Sequence, residues 1–98
     1  MDRHDVSVFA TRRGQTFVMR LAGGEASELE LVEVRDLGRR KTAGGEFSNY
    51  ALTFLARKGP PLAQAIYRLE HAELGALDVF LVPVARDAEG VRYEAVFN

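Results

Sequence analysis

Residues 64–98 read QAIYRLEHAELGALDVFLVPVARDAEGVRYEAVFN, and this run decides the fold class. Its apolar residues recur mainly at every second position, the spacing of a strand with one face on a core. Over Ala65–His71, Tyr67, Leu69 and His71 share one face, while Arg68 and Glu70 take the other. Ala72–Ala76, with Gly75, connects to Leu77–Ala85, which is nearly continuous apolar through Val79-Phe80-Leu81-Val82-Pro83-Val84. Such a run is expected of a strand buried on both faces. Pro83 has no N–H to give a ladder, so an edge or a bulge is expected there. Asp87-Ala88-Glu89-Gly90 reads as a hairpin turn with its glycine in a left-handed conformation. The strand Val91–Asn98 then turns Val91, Tyr93, Ala95 and Phe97 inward and Arg92 and Glu94 outward.

The same period continues toward the N terminus. Phe47–Ala56 is a strand with Tyr50, Leu52 and Phe54 on one face, ended by Arg57-Lys58-Gly59-Pro60-Pro61. Leu62–Gln64 adds one expected helical turn. Glu28–Arg35 is a strand whose hydrophobic phase flips: Leu29 and Leu31 share one face, Val32 and Val34 the opposite one. A bulge between Leu31 and Val32 explains the flip better than burial on both faces, because small barrels need such bends to close. Gln15–Leu21 places Phe17, Met19 and Leu21 together, and Ala22-Gly23-Gly24-Glu25 turns the chain. At the start, Asp5 can cap a helical turn over Val6–Arg13 stopped by Gly14, or Val6, Val8 and Ala10 can alternate as a strand.

Residues 36–46, which carry Arg39-Arg40-Lys41, read as the longest structureless stretch. Ala-Gly-Gly-Glu occurs at 22–25 and again at 43–46. The flanking residues differ, which marks repeated turn chemistry and not an internal duplication. The expectation is a single all-β domain over 1–98: a six-stranded antiparallel meander closed as a small barrel or a compact sandwich, with a short N-terminal helical turn.

Composition narrows function by exclusion. Ninety-eight residues make one ordinary domain with little room for a deep cofactor cavity. Thirteen basic and 14 acidic residues leave a net charge of −1, so no overall field draws nucleic acid or an anionic membrane. Without cysteine there is no disulfide, thiolate metal site or cysteine nucleophile. The start, Met1-Asp2-Arg3-His4-Asp5, carries no apolar run of signal or span length, so a cytoplasmic, membrane-free protein is expected.

No catalytic, metal or cofactor centre emerges from the residues. Of the two histidines, His4 lies in the polar start and His71 ends a strand, where a buried, hydrogen-bonded structural role is the expectation. Ser7, Ser27 and Ser48 lie in no nucleophile motif. Glu28 and Glu30 share a strand face at a separation of about 7 Å, but alternating Glu and Leu is also the pattern of a half-solvated strand. The glycine pairs open no helix bearing a phosphate-binding lysine. What remains is surface. The candidate partner-binding residues are Arg39, Arg40 and Lys41 in the middle stretch, and Phe80, Val82 and Val84 on the apolar strand.

The segments Gln64-Ala65-Ile66-Tyr67-Arg68-Leu69-Glu70-His71, Leu74-Gly75, Phe80-Leu81-Val82-Pro83-Val84 and Tyr93-Glu94-Ala95-Val96-Phe97-Asn98 resemble a family of small bacterial single-domain proteins of unknown function. The opening Phe9, Gly14 and Phe17 and the strand Leu29–Val34 extend the resemblance over nearly the whole chain; Ala65 departs from it where a glycine is expected. The resemblance implies no reaction and no catalytic residues. It implies an assembly or accessory role through an association with loci holding phage-tail-collar-like proteins, and with it a place in a phage-tail-like particle. Its signature residues Tyr67, Leu69, His71, Tyr93 and Phe97 are core and ladder residues, which mark a fold. The expected function is a non-enzymatic protein-binding or assembly module, open to self-association; the alternative is a small barrel that binds an anionic ligand or nucleic acid through residues 36–46.

Overall fold

The computed structural model describes residues 4–97, so the Asn98 end of the last expected strand and the first three residues lie outside the described residues. One short helix, α1 (Val6–Ala10), precedes six strands: β1 (Thr16–Arg20), β2 (Ala26–Thr42), β3 (Gly45–Ala56), β4 (Ala65–His71), β5 (Gly75–Asp87) and β6 (Gly90–Phe97). All pairings are antiparallel, and the sheet closes into an uneven ring in the order β1-β2-β3-β6-β5-β4. The strands thus form one sheet closed on itself and not two packed sheets. The order is not one continuous meander, however. Two three-stranded meanders, β1–β3 and β4–β6, are joined by the segment 57–64, and the ring closes through β1 on β4 and β3 on β6.

The inward positions follow the alternation. Phe17, Met19, Leu29, Leu31, Tyr50, Leu52, Phe54, Leu69, Leu81 and Tyr93 fill the interior at close to zero exposure. Phe17 and Phe54 meet edge to face with centroids 5.3 Å apart. Offset and edge contacts of this kind add to plain area burial. One end of the ring is sealed by α1, whose Phe9 packs on Tyr50 and Phe97. The helical reading of the opening therefore prevails over the strand: Asp5 takes the N-cap position and accepts the Ser7 N–H.

Both expected irregularities occur. The β2–β3 register shifts between Leu31 and Glu33, and the β5–β6 register shifts between Pro83 and Ala85, next to the proline. Three local expectations are corrected. Residues 36–46 are not a loop: β2 runs on to Thr42 and pairs back from Gly45, forming a two-stranded arm. A second shift between Asp36 and Gly38, with Gly38 at φ +100, lets the ladder resume. Thr42 closes the tip, its hydroxyl accepting from Gly44 N–H and donating to Gly45 O. Leu62–Gln64 forms no helical turn, because Leu62 follows two prolines and its N–H goes to the Tyr93 hydroxyl at 2.9 Å. Finally, β5 is not buried on both faces: Val79 and Leu81 are buried, while Phe80 and Val84 are half-exposed.

Candidate functional site

The two outer walls of the ring differ sharply in chemistry. Over β2, β3 and β6 the outward residues are laced by ion pairs: Arg57–Glu30 at 2.7 Å, Arg35–Glu94 at 3.4 Å and Arg92–Glu89 at 2.8 Å. These long side chains cover Leu55 and Ala51, which point outward and yet are only 2% exposed. The large apolar side chains that stay exposed on these strands are Leu37 and Phe47, on the stretch of β2 and β3 beyond the ring, and Val96 at the end of β6.

Over β4, β5 and β6 the outward face is apolar instead. Ile66 and Phe80 are direct cross-strand partners and are 70% and 51% exposed. Val96, 50% exposed, has the same outward phase on β6, two residues past the last β5–β6 pair, Val82↔Glu94. Val84, at the bulge that shifts the register, adds a further 53% exposed side chain. The neighbouring row, Arg68 and Asp78, forms an ion pair at 3.4 Å and rims the patch. Of the residues singled out from sequence, Phe80, Val82 and Val84 fall on this wall. Ile66 and Val96 were missed, although both left a signal: each is a large apolar residue in the phase of charged ones, Arg68 and Glu70 for Ile66, Arg92 and Glu94 for Val96.

The basic residues do not act as one patch. Arg39 is engaged by Asp5 at 3.4 Å and Glu46 at 3.7 Å. Arg40 and Lys41 sit on the exposed arm and take no ion pair among the described residues. The arm extends β2 and β3 past Tyr50↔Phe97, the last β3–β6 pair, and Phe80 lies on neither strand.

His71 is 9% exposed and its ring nitrogens are both occupied. Nδ1 accepts the N–H groups of Glu73 and Leu74 at 3.1 and 3.3 Å, which leaves the proton on Nε2 to donate to Gln15 Oε1 at 2.7 Å. Phe17 covers the ring face at 4.7 Å. Nδ1 thus holds the β4–β5 turn closed, and Nε2 ties the end of β4 to Gln15 ahead of β1. Glu28 and Glu30 line a cleft of about 360 Å³ together with Arg57 and Lys58, and His71 is not part of that lining. Among the described residues no cluster of His, Asp or Glu is arranged to hold a metal ion, and no helix is long and apolar enough to cross a membrane.

Leu69 and Tyr93 are in the core, the Tyr93 hydroxyl anchors the 57–64 segment, and Phe97 stacks on Tyr50 at 4.7 Å. Tyr67 is half-buried and donates its hydroxyl to the Ala63 carbonyl. No curated protein and no solved structure matches the sequence. Residues 4–97 do match the model of a family described as Domain of unknown function (DUF6916), and the chain belongs to that family.

Proposed function

We propose that the domain is a protein-docking module that works by binding and not by catalysis, with the outward row Ile66–Phe80 as the centre of its interface. The exposed apolar wall carries this reading. Burying the open parts of Ile66 and Phe80 contributes about 1–2 kcal/mol each, whereas an exposed ion pair such as those on the opposite wall contributes roughly 0–1 kcal/mol. The wall is flanked by the Arg68–Asp78 pair, the arrangement of an apolar centre within a polar rim that protein interfaces use. The partner is a protein with a complementary apolar patch, and the family resemblance points to an accessory place in a phage-tail-like assembly. Affinity capture with the intact domain and with an Ile66→Ser/Phe80→Ser variant tests it. The expected outcome is a partner retained by the first and lost by the second, with both proteins showing the same circular dichroism. Equal capture by both, or a wild-type dimer dispersed by the double substitution with no partner found, overturns it.

A second reading rests on Arg40 and Lys41, which are exposed and enter no ion pair among the described residues. Here the arm binds an anionic ligand or a single-stranded nucleic acid. Fluorescence anisotropy with a labelled oligonucleotide is expected to show binding that weakens with salt and disappears in Arg40→Ala/Lys41→Ala. Absence of binding at low salt rejects it.

A further inference from the structure

Each three-stranded unit has a middle strand that, at its start, pairs with only one neighbour. The β2–β3 ladder begins at Glu30↔Leu55, so residues 26–29 have β1 on one side and the irregular segment 57–60 on the other. The β5–β6 ladder begins at Val82↔Glu94, so residues 75–81 pair with β4 alone. The ring therefore has two openings, at opposite ends and in equivalent places. The chain covers one of them itself: Phe9 lies 6.3 Å from Phe97 at the end of β6, and Arg12 pairs at 3.6 Å with Glu73, just ahead of β5.

The other opening is hollow on both faces. A cleft of about 360 Å³ lies on its outer side, lined by Glu28, Glu30 and Arg57, and one of about 200 Å³ on its inner side, lined by Met19, Leu21, Leu62 and Tyr93. Ala26, Ser27 and Lys58 border both clefts, so these are two sides of one gap. Main-chain groups face into it. Leu21 N–H donates to Glu25 O and Leu31 N–H to Gln15 O, and the unbroken β1–β2 register between them turns every second residue of β2 toward β1. Ala26 and Glu28 are the residues of opposite phase, with their N–H and C=O groups aimed at the gap. Among the described residues they take no backbone hydrogen bond from 57–60.

We infer that this opening receives an extended segment of a partner protein as an added strand on the β2 edge. A strand alternates its side chains between two faces, and this gap offers a hollow to each: the inner one has Met19, Leu21, Leu62 and Tyr93 beside Glu25 and Lys58, the outer one Leu29 and Leu55 beside Glu28, Glu30 and Arg57. The main-chain groups of Ala26 and Glu28 supply the pairing that strand addition requires. Glu28, Glu30, Arg57 and Lys58 border the outer cleft, two acidic and two basic residues that together set no sign of charge. Recognition rests on main-chain pairing, on an apolar side chain entering the hollow formed by Met19, Leu21, Leu62 and Tyr93, and on polar residues either side of it. The inference is independent of the Phe80 wall, which lies on other strands.

The test pans the intact protein against a library of short, end-blocked peptides that alternate apolar and polar residues, with scrambled peptides of the same composition as controls. Alternating peptides are expected to bind and to slow amide exchange at Ala26 and Glu28 at least ~10-fold, as strand pairing does. Neither N–H serves the β1–β2 ladder, so Ala26→Pro and Glu28→Pro are expected to keep the ring and to weaken binding about 10-fold each. No preference for the alternating peptides, or binding with unchanged exchange at both amides, overturns the inference. So does binding lost in Ile66→Ser/Phe80→Ser and kept in the proline variants, a result that would leave the docking wall standing. Protection of the two amides in a dimer of the protein alone assigns the gap to a second copy and also overturns it.

Discussion

Gly90 shows how a single missing Cβ holds two strands at their distance. It starts β6 at φ +142, and a Cβ there would meet the Ala56 carbonyl oxygen and lie 2.9 Å from Arg57 Cα. Both atoms are backbone and have nowhere to go. Gly75, at φ +74, has the same conformational demand but open space around it. Gly90→Ala is therefore expected to cost about 2–4 kcal/mol, the backbone strain plus the overlap, and Gly75→Ala about 1–2 kcal/mol from strain alone. Urea unfolding of the two variants measures the difference; equal losses would mean that the close approach to Ala56 carries no energy. At this scale the sequence was legible in kind, since Asp-Ala-Glu-Gly reads as a turn. The Ala56 contact was not, because it joins residues far apart along the chain.

Helix α1 has five residues, too few to persist on its own propensity. It is held by the Asp5 cap, by Val6 N–H donating to Ser48 Oγ at 3.1 Å, and by burial of Phe9. The Ser7 backbone N–H, then the Ser7 and Ser48 hydroxyls and the nearby Arg39, hold the Asp5 carboxyl below its usual range. A carboxylate depressed in the folded state stabilises fully above its unfolded pKa and loses that contribution as pH falls through the folded one. The helix is thus expected to loosen below about pH 4, seen as acid-dependent amide shifts at Ser7 and Phe9. Asp5→Asn is expected to flatten that dependence, and an unaltered titration in the variant would show that Asp5 is not its source. The arm of β2 and β3 teaches a different lesson. Strands were found by alternation, and Arg39-Arg40-Lys41 alternates nothing, so the arm went unseen. Its pairing comes from the Gly38 bulge and the Thr42 turn, which are properties of conformation and not of hydrophobic period.

Across the whole molecule, the strands and their faces could be read locally, but their order could not. Closure rests on pairings such as Val18↔Glu70 and Tyr50↔Phe97, for which local spacing carries no information. The repeated Ala-Gly-Gly-Glu lies at the β1–β2 and β2–β3 turns, as repeated turn chemistry implies. A better repeat was present in Leu31-Val32-Glu33-Val34 and Leu81-Val82-Pro83-Val84, which lie in the middle strands of the two units, each with its register shift within or next to the motif. The outer apolar wall was half legible: Phe80, Val82 and Val84 stood out, but the near-continuous run hid which of them face water. One further feature bears on how the molecule is handled. The carbonyl of His4 accepts the Tyr50 hydroxyl at 2.7 Å, and Phe97 stacks on the same ring, so the chain enters and leaves beside one tyrosine. A linkage made at His4 or Phe97 therefore sits at the helix-sealed end, and a sensor surface coated through it would present the uncovered opening outward to whatever flows past.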